Sequence, residues 1–178
     1  MEMEKIPVQA AIETERFDLR PLRRSDMGLI ELYGGDERVA RMTTSIPHPV
    51  PPGMTEAYVA RAMDDERDED IWAMDGTKAG ASELMGIISL ERMDREQSEV
   101  SYWVAPPYWN TGLASDAVQA LVEANPMQNK TMFASVFQDN PASARVLTNQ
   151  GFQYLGDAET HSVARGANVP TWTYSLKC

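Results

Sequence analysis

The sequence has little cysteine and comparatively little positive charge. Cys178 is the single cysteine, so no disulfide can form within the chain, which fits a reducing compartment. Lys and Arg number 16 against 27 Asp and Glu, which gives a formal net charge of −11 at pH 7. Because nucleic acids and anionic membranes are bound by clustered cations, this balance argues against both as partners. A cationic substrate such as an amine suits an acidic protein, although acidity also serves solubility alone.

Long apolar stretches and metal-ligand spacings are missing as well. The longest apolar run, LMGIISL at 84–90, is far shorter than the ~20 residues needed to span a bilayer. The N-terminal MEMEKIPVQAA lacks the apolar segment of a signal peptide. His48 and His161 stand alone, with no His or Cys at ligand spacing. We therefore expect a cytoplasmic protein with no membrane attachment and no metal.

The pattern that is present is typical of one α+β domain. Apolar periodicity and turn residues predict, in order, a strand, two helices, three strands, a helix, a strand, a helix and two strands. We expect residues 1–12 to form a loose leader and residues 13–178 a single domain, because no linker or repeat divides the chain. The predicted helices begin near Asp26, Thr55 (running through the acidic segment to residue 70), Gly112 and Asn140, and the predicted strands cover 16–22, 71–76, 83–92, 98–105 and 131–138 before two closing strands.

The stretch YWNTGLASDA, residues 108–117, turns from a strand into an amphipathic helix. Unpaired backbone N–H groups and the positive end of the helix dipole therefore point toward Trp109–Thr111. Gly112 and Ala114 lack bulky side chains, which lets an anion approach the backbone. The Gly-Lys-Ser/Thr of a P-loop is absent, and a single glycine excludes a dinucleotide fingerprint. A plain tight turn between strand and helix is the alternative interpretation.

Two prolines, Pro106 and Pro107, end the strand 98–105, because proline cannot continue a hydrogen-bonded ladder. The backbone of Trp103–Ala105 would then be available to an extended ligand arm, as when a strand is added to a sheet edge. Prolines also end strands where no ligand binds, so both interpretations stay open here.

Four segments together resemble the GNAT acetyltransferase superfamily: IETERFDLRPL, SEVSYWVAP, YWNTGLASDA and DNPASARVLTNQGF. The similarity spans roughly residues 12–176 and looks like the RimJ/RimL-like branch, which acetylates N-terminal amines of ribosomal proteins and similar substrates. It implies a central, mostly antiparallel sheet of about seven strands with helices on both faces. It also implies an enzyme that moves an acetyl group from acetyl-CoA directly to a primary amine, and no cysteine is placed to act as a nucleophile.

The resemblance also assigns cofactor contacts. In the family, a Gln/Arg-x-x-Gly-x-Gly/Ala pattern holds the CoA pyrophosphate, and it falls here on Trp109, Gly112 and Ala114. Trp109 replaces the usual polar residue, and Asn110 and Thr111 bring no positive charge, so binding would rest on backbone N–H groups, the helix dipole and nearby hydroxyls. The predicted cofactor-binding residues are Trp103, Val104, Ala105, Trp109, Asn110, Thr111, Gly112, Leu113, Ala114, Ser115, Asn140 and Arg145.

Acetyl transfer to an amine needs a base and benefits from an acid. An alkylammonium has a pKa of ~10 and a thiol of ~8.5, so a base helps at neutral pH. Glu99 is the candidate base, acting through water, with His161 or water alone as alternatives. Asn140 and Ser143 match the branch's Asn-x-x-Ser, which implies that Ser143 protonates the leaving sulfur, and Leu147 stands where many members carry a Tyr.

Each of these residues also has a structural alternative. Glu99 would otherwise be a solvated or salt-bridged strand carboxylate, and Asn140 an N-cap before Pro141. Ser143 would be an ordinary polar residue in the first helical turn, and Arg145 an exposed helix cation. The predicted partners are acetyl-CoA and an amine acceptor, either a protein N-terminus or a small molecule, bound by a monomer or a homodimer. A non-catalytic acyl-CoA-binding or sensing module on the same fold is the alternative function, which the changes at Trp109–Thr111 and the absent tyrosine favour slightly. The loop 45–55 and the segment 157–170 are expected to border the acceptor site.

Overall fold

An eight-stranded sheet runs through residues 9–178, which the computed structural model describes. The strands lie in the order β1-β2-β3-β4-β5-β6-β8-β7, and all neighbours pair antiparallel except β5 and β6. The predicted mostly antiparallel sheet is confirmed, with one strand more than expected. The strands are β1 (Ile12–Glu13), β2 (Asp18–Pro21), β3 (Glu69–Asp75), β4 (Gly86–Met93), β5 (Gln97–Val104), β6 (Thr131–Phe137), β7 (Gln153–Ser162) and β8 (Ala167–Lys177).

Helices cover both faces of this sheet, as expected. They are α1 (Met27–Gly34), α2 (Glu37–Ala40), α3 (Met54–Ala62), α4 (Leu113–Ala124) and α5 (Pro141–Asn149), with short 3-10 turns at Arg24–Asp26, Thr77–Ala79 and Pro106–Tyr108. None of the helices in residues 9–178 combines the length and apolar character needed to cross a bilayer.

Alternation along the central strands builds a core on each face. In β3, Trp72 and Met74 join the apolar cluster beneath α4 and α5, whereas Ile71 and Ala73 join the cluster beneath α1 and α3. Side chains of a strand point alternately to opposite faces, so a strand covered on both sides is apolar throughout. This explains why residues 71–75 are all buried.

The second predicted helix, which is α3 in the structure, is shorter than expected. The helix expected from Thr55 to residue 70 begins after Gly53, which has φ +83°, and ends at Ala62. The acidic segment cannot stay helical because Glu69 pairs with Glu91 at the start of β3. The amide N–H of Arg92 also donates to Asp68 O at 2.7 Å. Sheet pairing therefore outweighs the helix propensity of this segment.

The N-terminal region is only partly covered by the structure. Residues 1–8 of the expected leader lie outside the described residues. Gln9 Nε2 donates to Ile71 O at 2.8 Å, and Trp72 Nε1 donates to Ala10 O at 2.9 Å. Ile12 pairs with Leu19 of β2. From residue 9 onward, the chain is thus attached to the edge of the sheet.

Candidate active site

Strands β5 and β6 separate after Glu99. Within residues 9–178 their parallel ladder has three residue pairs, from Gln97–Thr131 to Glu99–Phe133. Both strands then continue, β5 to Val104 and β6 to Phe137, without pairing to each other. The space between residues 100–104 and 134–137, called the wedge below, opens into a cavity of about 1520 Å³. Exposed strand edges of this kind can pair with an extended chain.

The mouth of the wedge is the N-terminus of α4. Gly112 caps this helix with φ +77°, a left-handed conformation that glycine adopts at little cost. The first helical bond of α4 runs from Asp116 N to Gly112 O at 3.0 Å, so the N–H groups of Leu113, Ala114 and Ser115 precede it. Such N–H groups, with the helix dipole behind them, form an anion site.

The structure brings most predicted cofactor residues to this one cavity. Two do not line it: Ala105 is buried and donates its N–H to Met85 O at 2.8 Å, and Arg145 is exposed on α5. His161, the second candidate base, is exposed on β7 beside Asn168 and also lies outside the cavity lining. The cavity is lined by Glu99, Trp103, Val104, Trp109, Asn110, Thr111, Gly112, Leu113, Ala114, Ser115, Asn140 and Ser143 among the predicted residues.

Trp109 lies across the mouth of the wedge. Its indole N–H donates to Val104 O at 2.6 Å, and the Thr111 hydroxyl donates to Tyr108 O at 2.6 Å. In this conformation Val104 O and the Thr111 hydroxyl proton are therefore engaged within the protein. A ligand arm that pairs with Val104 O would have to share this oxygen with the Trp109 indole or displace the indole.

Two arginines lie close to this turn, each paired with a carboxylate. The Arg38 guanidinium lies over the Trp109 ring, 5.6 Å from its centroid. Asp36 holds Arg38 there through bonds from Nε at 3.0 Å and Nη2 at 2.8 Å. Arg16 donates to Thr111 O at 3.3 Å and also pairs with Asp116. Sequence reasoning missed both, because they come from distant segments, β1–β2 and α2.

Ser143 contacts a tyrosine across the wedge. Asn140 Oδ1 accepts from Ser143 N at 3.4 Å, so Asn140 does cap α5. The Ser143 hydroxyl donates to Tyr102 Oη at 2.8 Å, and Tyr102 Oη in turn donates to Ser143 O at 3.0 Å. Burial raises the pKa of Tyr102 to about 12. Tyr102 was not among the predicted residues, although its place in β5, one residue before Trp103, puts it on the face toward α4 and α5.

Glu99 lies at the apex of the wedge, half-buried, on the opposite face of β5 from Tyr102. The register places Glu69, Glu91 and Glu99 side by side across β3, β4 and β5. Burial raises the pKa of Glu99, and the negative charges of Glu91 and Glu69 raise it further. Burial likewise raises the pKa of Glu69, against a bond from the Ser89 hydroxyl at 3.1 Å. A carboxylate with a raised pKa is a better base near neutral pH.

The tip of the β7–β8 hairpin reaches the loop after α2. Arg165 donates to Arg41 O at 2.8 Å and to the Asp139 carboxylate at 2.6 and 3.1 Å. The bond from Arg165 holds the pKa of Asp139 below its usual range. Val163 N also donates to Thr44 O at 3.1 Å. The loop after α2 lines the cavity together with residues from the expected loop 45–55, whereas of the expected segment 157–170 only Thr160 lines it.

Comparisons with known proteins agree with this geometry. Residues 16–153 match the family model described as an acetyltransferase (GNAT) domain. The chain is 24% identical over 170 residues to YoaA of Bacillus subtilis (strain 168), an uncharacterized N-acetyltransferase, and the match covers 93% of this chain and 95% of YoaA.

Two solved structures share the fold. The spermidine N-acetyltransferase from Vibrio cholerae, in complex with CoA and spermine, aligns with a TM-score of 0.78 at 15% identity, over 92% of this chain and 96% of that one. RimL, a ribosomal L7/L12 alpha-N-protein acetyltransferase in complex with CoA, aligns with a TM-score of 0.78 at 16% identity, over 94% and 98%. The family model covers most of the chain, and the superfamily inferred from the motifs is confirmed: the chain belongs to the GNAT acetyltransferase family.

Proposed function

We propose that this protein transfers an acetyl group from acetyl-CoA directly to a primary amine, in the manner of the RimJ/RimL-like branch. The observation that carries the proposal is the wedge with an anion site at its mouth and a half-buried carboxylate at its apex. The CoA pyrophosphate would bind the first turn of α4, and the pantetheine arm would run inward along the β5 edge. The neighbours that bind CoA on this fold support the donor.

The two faces of β5 suit the two halves of the reaction. Glu99 lies on the α1 and α3 face and would take the ammonium proton through water, leaving a neutral amine to attack the thioester carbon. Ser143 lies on the α4 and α5 side and would give a proton to the departing sulfur. Because the groups lie on opposite sides of the wedge, the amine and the thiolate would not compete for the same space.

The acceptor is a protein N-terminus or a small-molecule amine, which is a cation before it reacts. Glu69 and Glu91 extend the carboxylate row beside Glu99 along the cavity wall, and the net charge of −11 adds a long-range attraction for cations. Neighbours on this fold include enzymes named for spermidine and for a ribosomal protein, so both acceptor types are consistent with the architecture.

A non-catalytic acyl-CoA sensor is the second candidate, favoured by one observation. The Trp109 indole bonds to Val104 O, where the cofactor arm would enter. If the Trp109 indole leaves Val104 O only when acyl-CoA binds tightly, then acyl-CoA binding changes the conformation at the mouth of the wedge. Binding without turnover is the result that separates this function from the enzyme.

The decisive experiment measures thiol release from acetyl-CoA with a panel of amines: N-terminal peptides, amino acids and polyamines. We expect release with at least one amine, and CoA should raise the melting temperature. Stabilisation by CoA with no release from any amine supports the sensor. No stabilisation by CoA or acetyl-CoA contradicts both functions.

A pair of glycine variants tests whether CoA uses the α4 N-terminus. Gly112→Asp adds a carboxylate to the anion site and should abolish the stabilisation by CoA. Gly80→Asp is the matched control, because Gly80 has a similar φ, +78° against +77°, and open space around it outside the cavity lining. The Gly80→Asp variant has the same backbone strain, and CoA should still raise its melting temperature. If CoA stabilises the two variants equally, CoA does not bind at the N-terminus of α4.

Arg38 is expected to contribute to CoA affinity through its charge. Arg38→Ala should weaken CoA binding about fivefold at low salt, and the difference should shrink as ionic strength rises. Arg24→Ala is the control, since Arg24 is an exposed arginine outside the cavity lining and its loss changes net charge equally. Titration calorimetry of CoA at two salt concentrations measures both. Equal effects of the two variants would show that only net charge matters.

A further inference from the structure

We propose that Tyr102 positions the Ser143 hydroxyl and is the proton source behind it when CoA leaves. This inference deepens the proposed acetyl transfer and rests on it. It makes Tyr102 a positioning residue that acts through Ser143, and it assigns the acid side of the reaction to two hydroxyls in series.

The first argument is geometric. Tyr102 lies on β5, one wall of the wedge, and Ser143 lies on α5, the helix that follows β6; the two residues hydrogen-bond twice, at 2.8 and 3.0 Å. This contact closes the wedge on its helix side. An extended arm that follows the β5 edge from α4 toward Glu99 would lie against the pair, with its sulfur near the Ser143 hydroxyl.

The second argument is chemical. A serine hydroxyl is a very weak acid, so a proton that it gives to sulfur has to be replaced as it leaves. The neighbouring phenol can replace it: burial raises the pKa of Tyr102 to about 12, so the phenol holds its proton at neutral pH, yet a phenol is still a stronger acid than an aliphatic hydroxyl. Leu147 is fully buried in the core and offers no hydroxyl from α5.

The hydrogen bond between the two hydroxyl groups can reverse its direction without movement of any heavy atom. In the resting arrangement Ser143 donates to Tyr102, and Tyr102 donates to Ser143 O. Rotation of the two O–H bonds turns the Tyr102 proton to Ser143 Oγ and the Ser143 proton to the sulfur, since hydroxyl hydrogens rotate to suit their partners.

The transfer step then balances. The amine nitrogen forms a bond to the carbonyl carbon, and the C–S bond breaks with its electron pair on sulfur. The Ser143 proton passes to the sulfur, the Tyr102 proton passes to Ser143 Oγ, and water returns a proton to Tyr102. The ammonium proton leaves through Glu99 and water before the attack. The attacking nitrogen then loses a second proton to water as the amide forms, which balances the proton that returns to Tyr102, so the net products are an amide, CoA thiol and one proton.

Tyr102→Phe tests the proposal because it keeps the ring and removes the hydroxyl. We expect kcat to fall about tenfold or more, with KM for acetyl-CoA, whose sulfur is acylated, within about twofold of wild type. Ser143→Ala should behave alike, and the double variant should be no slower than Ser143→Ala alone, because the two hydroxyls act as one unit. Tyr154→Phe is the control: it removes a phenol bonded to Asp157, outside the cavity lining.

A binding comparison makes the result independent of turnover. CoA and desulfo-CoA, in which hydrogen replaces the thiol, should bind wild type with different affinities, and Tyr102→Phe and Ser143→Ala should each remove that difference. A wild-type protein that acetylates no amine but discriminates the thiol rejects the proposed function while placing the pair at the sulfur. A wild-type kcat in Tyr102→Phe, additive losses in the double variant, or no discrimination between the two ligands overturns the inference.

Discussion

Replacing Glu99 by Gln is expected to lower kcat about 100-fold or more while leaving the Kd of CoA unchanged. The amide keeps the shape of the side chain at the wedge apex but cannot take the ammonium proton. The measurement is steady-state kinetics with the best amine of the panel, together with CoA titration. Raising the pH should partly rescue Glu99→Gln, because more of the amine is then already neutral.

Glu91→Gln is the matched control and tests the electrostatics. It is the same change on the neighbouring strand, directly opposite Glu99 in the register. The pKa of Glu99 is raised by burial and then by Glu91 and Glu69, so removing the Glu91 charge should lower it. Glu99 would then ionise at lower pH, and the acid limb of kcat/KM against pH should shift downward with little loss at neutral pH.

Two outcomes would reject Glu99 as the base. One is a Glu99→Gln enzyme that keeps the wild-type acid limb, since another group would then be titrating. The other is a loss in Glu91→Gln as large as in Glu99→Gln, which would point to general charge effects. His161→Gln addresses the second candidate base, and we expect little change because His161 is exposed and outside the cavity lining.

Local patterns were sufficient to predict the parts of this site that are continuous in sequence. The strand that stops before Pro106, the glycine at the start of α4 and the Asn140 cap of α5 are each specified by a few neighbouring residues. Strand alternation and helix-capping rules act over the same short range, so a single sequence carries them. Strands β2–β8 and four of the five helices that the structure describes followed from these elements in order, whereas β1 and the four-residue α2 did not.

Contacts between distant segments could not be predicted in this way. Arg38 reaches Trp109 from α2, a helix of four residues that is too short to show an apolar period. Tyr102 meets Ser143 only because β5 and β6 diverge while α5 folds back beside them. The row of Glu69, Glu91 and Glu99 depends on the register of three strands, which no local pattern fixes.

The same limit applies to an ion-pair network far from the wedge. Arg20 on β2 bonds to both oxygens of Asp26 at 2.9 and 2.8 Å and to Asp75 on β3 at 2.7 Å. It also donates to Glu83 O at 2.9 Å. The Asp26 side chain is 0% exposed and that of Arg20 13%. One guanidinium thereby joins two strands, the start of α1 and the segment before β4.

Arg20→Met is therefore expected to lower the free energy of unfolding by about 3–5 kcal/mol, because it leaves the buried Asp26 charge without its partner. Arg23→Met is the control: the Arg23–Glu83 pair is bonded at 3.1 Å with half of the Arg23 side chain exposed, so its loss should cost about 1 kcal/mol or less. Urea denaturation at neutral pH measures both, and Arg20→Lys, which keeps the charge but loses the fork, should fall between them. Equal losses in Arg20→Met and Arg23→Met would mean that the buried network holds α1 against the sheet no better than a surface ion pair does.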